Sequence, residues 1–273
     1  MCIRDSSYSV NPYNANFIMK NLTVNKKTVR VYDSIDEMPI INFQKYNKYL
    51  LIDSGIGSDV DDIDAHIARI AKFIKSNNAK KALQELQNMR QSMYMVNSEI
   101  SPKYLAFAAL IHSIDGEEVN DLSDDGLKNV LAKLKEIKHS KIIGFLVWLK
   151  KKVTTELEMY FPGDFVNPKE KDAYDKLKQR TLFVLDSMIN GTDNSEQIET
   201  IDMVMLNMHS PKSYIGSESV EIKYDKQFES TCLLIAQKTS MDAKKMTVLQ
   251  FYNAVDNLSL IHISEPTRHA QIS

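Results

Sequence analysis

The chain has 273 residues, 34 Lys and Arg against 36 Asp and Glu, a net charge of −2 and a hydrophobic content of 43%. A near-neutral balance gives no global attraction to nucleic acid or acidic lipid surfaces, and the composition is that of an ordinary globular domain. The most apolar run, Ile142 to Leu149, is far shorter than the roughly 20 residues a membrane helix needs, and Lys150-Lys151-Lys152 follows it.

The two ends are expected to lie outside the folded unit. Back-translation of Met1 to Ser6 and of Leu258 to Ile263 gives DNA stretches that are reverse complements, the pattern of a translated sequencing-library adapter. Residues 1–18 are therefore read as adapter-derived or translated upstream sequence and 257–273 as an adapter-derived tail, with a distal C-terminal part cut off. Residues 19–256 are read as a single helical domain, with a subdomain junction near 162–168. Setting Cys2 aside leaves Cys232, which excludes an internal disulfide or a thiolate metal cluster and points to a reducing compartment.

Thr28-Val29-Arg30-Val31-Tyr32 alternates and predicts a strand; Ser219 to Tyr224 alternates too, so the two are expected to pair as a ribbon. From Asn42 to Asn77 the pattern predicts a short helix, a two-glycine break and a long amphipathic helix. Phe43, Tyr46, Tyr49, Leu50 and Ile52 form the first apolar face, and Gly55 is placed to end it in a left-handed conformation. Ser58 is the expected cap of the second helix, with Asp59, Asp61 and Asp62 complementing its positive start. Ile63, Ile67, Ile70 and Ile74 recur at spacings of four, three and four and predict one stripe.

Asn77 or Asn78 caps a third helix carrying Leu83, Leu86, Met89, Met93 and Val96. Ser101-Pro102 starts a helix that is apolar on nearly all sides from Tyr104 to Ile114 and ends at Asp115-Gly116. Ser123 and Ser140 cap two more; the second ends at the turn Phe161-Pro162-Gly163-Asp164. Lys169 to Asn190 carries the stripe Tyr174, Leu177, Thr181, Val184, Leu185 and Met188. Ser195 opens a helix, Phe228 to Gln237 is a short one, and Ser240 opens the last. The predicted fold is all-α: a compact multi-helix orthogonal bundle of about nine helices with one small two-stranded ribbon.

Asp59, Asp61, Asp62 and His66 are the candidate ligands for a hard divalent cation, which takes oxygen donors. Their spacing is not that of a calcium loop, and neighbouring helical positions point apart, so capping accounts for them. Gly55-Ile56-Gly57-Ser58 could cradle an anion on free N–H groups, but a helix precedes it and the aspartates repel phosphate. His66, His112, His139 and His209 fall one per element, and Cys232 sits in an apolar context. The basic runs Lys150 to Lys152 and Lys244-Lys245 lack the interleaved aromatics of a nucleic-acid groove. The methionines Met89, Met93, Met95, Met203, Met205 and Met208 fill a core or line an adaptable groove. No catalytic constellation and no cofactor are expected.

The stretches FQKYNKYLLIDSGIGSDVDDIDAHI (Phe43 to Ile67), SPKYLAFAALIHSIDGEEVNDLSDDGL (Ser101 to Leu127) and KMTVLQFYNA (Lys245 to Ala254) resemble a virion-morphogenesis family of tailed bacteriophages of gut Bacteroidetes. The resemblance covers about Asp33 to Ala254 and carries no catalytic residue. An apolar helix followed by Ile114-Asp115-Gly116 and then Ser123 to Leu127 is also similar to tail-assembly chaperones. The resemblance implies a non-enzymatic role in particle assembly, as a tail-assembly chaperone or minor virion component, with other phage structural proteins as partners in the host cytoplasm or the virion. The alternatives are a regulatory nucleic-acid binder using the two basic runs and a magnesium-dependent enzyme using Asp59 to Asp64.

Overall fold

The computed structural model describes residues 20–24, 27–97, 101–134, 139–162, 168–208 and 210–269. Segment 1–18, the turn residues Gly163 and Asp164, most of the expected 162–168 junction, His209 and residues 270–273 lie outside the described residues, as do the side chains of His139 and Ser140. The mainly α architecture is as expected, with ten α-helices among the described residues.

The sheet departs from expectation. Strand β2 (Lys27–Val31) turns Val29 and Val31 into the core, both fully buried. It pairs antiparallel with β1 (Lys20–Val24) on one side and β3 (Ile111–Ile114) on the other, and β3 pairs with β4 (Glu117–Glu118), giving the order β1-β2-β3-β4. The expected partner, Ser219 to Tyr224, is instead the start of a long helix, in which the Ser219 side chain accepts from the Glu221 N–H. The extended apolar helix over Tyr104 to Ile114 is also corrected. Helix α4 (Pro102–Ala109) stops early and the chain continues as β3. Asp115 (φ 51°) and Gly116 (φ 89°) both adopt left-handed backbone, as the two-residue turn of a hairpin requires.

Helix α1 (Ile40–Ile56) lies against α4, whose Ala106, Ala108 and Ala109 are buried and small enough for close approach. The buried Asn42 amide donates to the Ala109 carbonyl at 2.8 Å, satisfying a carbonyl that the short helix leaves open. Helix α2 (Val60–Lys75) and helix α3 (Ala79–Asn97) follow as a hairpin. Helices α5 (Asp124–Lys133) and α6 (His139–Tyr160) add Leu127, Leu149 and Val153 to the main core. Helices α7 (Pro168–Asn190) and α8 (Ser195–Met208) make a second hairpin. Helix α9 (Val220–Thr239) brings Ile235 to the main core, and α10 (Val248–His269), after a single 3-10 turn at Ala243–Lys245, brings Val248 and Phe251.

The break after α1 also differs in detail. Gly55 does not end the helix; Gly57, at φ 74°, is the left-handed residue past its end. Gly55 is needed for another reason, since the ring of Tyr214 occupies the space a Cβ would take. Asp59, not Ser58, caps α2, and it closes a reciprocal box with Asp62. No helix among the described residues is long and apolar enough to cross a membrane.

Candidate interaction surface

The predicted metal ligands are separated by their own local chemistry. Asp62 Oδ2 accepts from the Ser58 and Asp59 N–H groups at 2.8 and 2.9 Å. That carboxylate occupies the amides that the Gly55 to Ser58 loop would offer an anion. Asp61 is exposed to solvent. His66 points the other way, into the α2–α3 contact. Its Nε2–H donates to the Ile56 carbonyl at 2.7 Å, because a carbonyl can only accept. Its Nδ1 lies 2.8 Å from Glu85 Oε1, and Arg69 Nε also donates to Glu85 Oε1. His66 and Glu85 are each 1% exposed. The four candidates thus do not converge on one point, and no group of three or more His, Cys, Asp or Glu able to hold a metal ion occurs among the described residues.

The partner Glu85 was not legible as such. It belongs to a buried line on α3 made of Ala82, Glu85, Asn88 and Ser92. The Asn88 amide donates to the Lys212 carbonyl at 3.1 Å and accepts from Gln84 at 3.3 Å. Small and hydrogen-bonded side chains let α2 and α3 approach, and the larger apolar residues of α3 turn outward.

A second polar junction ties the start of α2 to the start of α4. Lys103 Nζ lies 3.0 Å from Asp59 Oδ2 and 3.7 Å from Asp53 Oδ1, and the Ser58 and Ser101 hydroxyls lie 3.2 Å apart. Burial pushes the Asp53 carboxyl up to about 6, with Lys103 pulling it back down. The surface cavities beside α6, between α1 and α9 and at the 210–214 segment are not lined by Asp53, Asp59, Asp61, Asp62, His66 or Lys103. The first of these, about 390 Å³, lies between β1 and α6, where Lys20 Nζ sits 3.7 Å above the Trp148 ring.

One lysine of the first basic run and both of the second meet carboxylates, while Lys150 and Lys151 are exposed. Lys152 meets Asp33 at 3.1 Å and Glu156 at 3.7 Å, and Lys244 meets Glu229 at 2.8 Å. Cys232 is buried, and burial raises its thiol, as for a core residue. The methionines do not share one groove: Met95 packs on the main core, Met203 on a small second cluster of Phe73, Ala82 and Leu206, and Met93 and Met208 are exposed.

What the structure leaves open is apolar helix surface. The stripe on α7 lies at the surface: Tyr174 is 67% exposed and Met188 77%, with Leu177, Thr181 and Leu185 exposed between them. These positions recur every three or four residues, so they share one face. Leu182 and Ile189 widen it on one side. The span from Tyr174 to Met188 is about 21 Å at the helical rise. α8 is the principal neighbour of α7, held by Arg180 Nε donating to Asp202 Oδ1 at 2.7 Å. Lys72 of α2 reaches the same carboxylate at 3.6 Å. Leu206 and Met203 of α8 seat the hairpin on Phe73 and Ala82, and the stripe of α7 is left to solvent. Contiguous exposed apolar surface above a few hundred Å² marks interaction sites on globular proteins.

The stripe of α2 is likewise partly exposed. The residues it buries are His66 and Phe73; Ile67 is 53% exposed and Ile74 63%. The predicted stripe is therefore not the side on which α2 packs against its own chain. Comparison with known proteins adds no relative: no family model, no curated protein and no solved structure matches this chain.

Proposed function

We propose that this chain is a non-enzymatic interaction protein of tailed-phage particle assembly, as a tail-assembly chaperone or minor virion component, that binds another phage protein through an apolar helix face. The observation that carries the reading is the exposed stripe of α7 from Tyr174 to Met188, on a hairpin whose other helix packs against α2 and α3. An amphipathic helix presenting anchors three and four residues apart is a recurrent way of seating one protein on another. The phage assignment rests on the resemblance of Phe43 to Ile67, Ser101 to Leu127 and Lys245 to Ala254, and the gene neighbourhood is its most direct check. The nucleic-acid reading is weaker, because Lys152 and Lys244 already face carboxylates.

The test is co-sedimentation of the tagged chain with assembly intermediates from infected cells, with the co-sedimenting proteins identified. The expected result is a phage structural protein bound by the wild-type chain and lost with Leu177→Glu and Leu185→Glu together. Both positions are exposed, so the variant should keep its helical circular dichroism. Recovery of no phage structural protein, or equal recovery by the variant, would overturn the reading.

A further inference from the structure

Helix α2 carries a second open face, pointing away from both α3 and the main core. Val60, Ile67, Ala71 and Ile74 form its ridge, all exposed, and the half-buried Ile63 and Ile70 border it on one side. The apolar spacing over Val60, Ile63, Ile67, Ile70 and Ile74 is three, four, three, four. That is the seam of a helix packed along another helix, not the broader stripe of a helix laid on a globular core. Ala71 in the ridge and Ala68 beside it leave room for close approach of a partner backbone.

The charges on the other border say which partner. Asp61 and Asp64 lie toward the N-terminal end and Lys75 at the C-terminal end, all exposed and on the same side of the ridge. A second α2 laid antiparallel, with its Ile67 over this Ile67, returns the same border to itself with the order reversed. Lys75 of each copy then faces Asp61 and Asp64 of the other, Val60 faces Ile74, and the Ile63 and Ile70 borders meet. A parallel arrangement would instead set this charged border against the Ile63 and Ile70 border of the partner, leaving Lys75 and the aspartates without opposite charges. Self-complementarity of this kind is what a twofold interface requires.

We propose that α2 pairs antiparallel with α2 of a second copy of this chain, forming a homodimer about a twofold axis at Ile67. The interface is distinct from the α7 face, so dimerisation presents two α7 faces to a partner. A single helix pair is a small interface, which sets the dissociation constant on the order of micromolar.

Sedimentation equilibrium of the full chain should show a concentration-dependent dimer. Ile67→Glu should weaken it about a hundredfold or more, since it buries two carboxylates against each other at the axis, while helical circular dichroism stays unchanged. Thiol cross-linking in a Cys2→Ser background reads the direction. Ile67→Cys should cross-link to itself. Val60→Cys should not, because two copies of residue 60 lie about 21 Å apart along the antiparallel pair; mixed with Ile74→Cys it should. A chain that stays monomeric at every soluble concentration, an Ile67→Glu variant that dimerises as well as wild type, or self-cross-linking of Val60→Cys would each overturn the proposal. None of these outcomes bears on the Leu177→Glu and Leu185→Glu variant, so the two readings fail separately.

Discussion

Gly55→Ala should destabilise the fold although it improves the helix. Gly55 sits in the last turn of α1 with ordinary helical backbone, where alanine is favoured by about 1 kcal/mol. The obstacle is Tyr214. A Cβ on Gly55 would lie 2.7 Å from the Tyr214 Cε2 atom and nearer still to Cζ and the hydroxyl oxygen. The ring is buried, and its hydroxyl donates to the Leu51 carbonyl at 3.1 Å, so it cannot yield without leaving its site. Expelling a buried aromatic costs about 3–5 kcal/mol and the hydrogen bond about 1 kcal/mol more. Set against the helix gain, and allowing for partial rearrangement, the net loss should be about 2–4 kcal/mol. Urea denaturation measures it as a fall in midpoint at unchanged slope. The decisive comparison is a cycle with Tyr214→Ala. In that background the clash is gone, and Gly55→Ala should become stabilising by a few tenths to about 1 kcal/mol. If Gly55→Ala costs the same with and without the Tyr214 ring, steric exclusion by Tyr214 is not why glycine stands there.

Three further outcomes follow from buried polar groups. The raised Asp53 carboxyl means the folded state holds that proton more tightly than the unfolded chain. Its stabilisation is complete below the ordinary carboxyl range and is lost as pH rises through about 6, so Asp53→Asn should flatten a decline on the order of 2–3 kcal/mol in midpoint measurements from about pH 4 to 7. Glu85→Leu leaves His66 and Arg69 facing an apolar side chain and should cost about 3–5 kcal/mol; the double variant with His66→Leu should cost less than the two single losses added, and strict additivity would remove the claim that they act as a pair. The Tyr46 hydroxyl is buried with no hydrogen-bond partner among the described residues, and burial pushes it up to about 12. Tyr46→Phe should therefore leave thermal stability unchanged or raise it, within about 1 kcal/mol; a larger loss would mean the hydroxyl is satisfied.

Local chemistry in the sequence carried much of the fold. Ser123 caps α5 through the Gly126 N–H, and the Asn78 side chain accepts from the Lys81 N–H at the start of α3. Pro102 opens α4 at the expected place. Such features depend on residues a few positions apart. The errors came where two encodings compete or distant segments decide. Asp115-Gly116 is a helix stop and also a strong hairpin turn, and pairing of β3 with β2, more than eighty residues earlier, settled it. Ser219 to Tyr224 alternates over six residues, but the acidic first turn and the apolar run beyond it make a helix. At the α1–α2 break, Gly57 rather than Gly55 takes the left-handed backbone, and the reason for glycine at 55 is Tyr214, far along the chain. The His66–Glu85 pair was hidden because a buried glutamate carries no local mark.

Apolar periodicity fixes the side of a helix that needs cover, and leaves the cover unnamed. In α1 the cover is the chain itself, and Phe43, Tyr46, Tyr49 and Ile52 end in one core; in α6 Leu146, Val153 and Leu157 do so, while Val147 and Tyr160 are exposed. In α2 and α3 the chain uses a different line for its own packing: His66 and Phe73 on one helix, Ala82, Glu85, Asn88 and Ser92 on the other. That line is rich in polar and small groups, whose hydrogen bonds fix a single register but remove little apolar surface from water. The isoleucines one step around α2, and the stripe of α7, would each gain about 1.5–3 kcal/mol per fully buried side chain if covered. A face that repeats at helical spacing over several turns, while its helix is held by another side, retains that unused stabilisation for association. Two such faces on separate hairpins, one of them self-complementary in charge, are what a dimer that docks on a different protein would need.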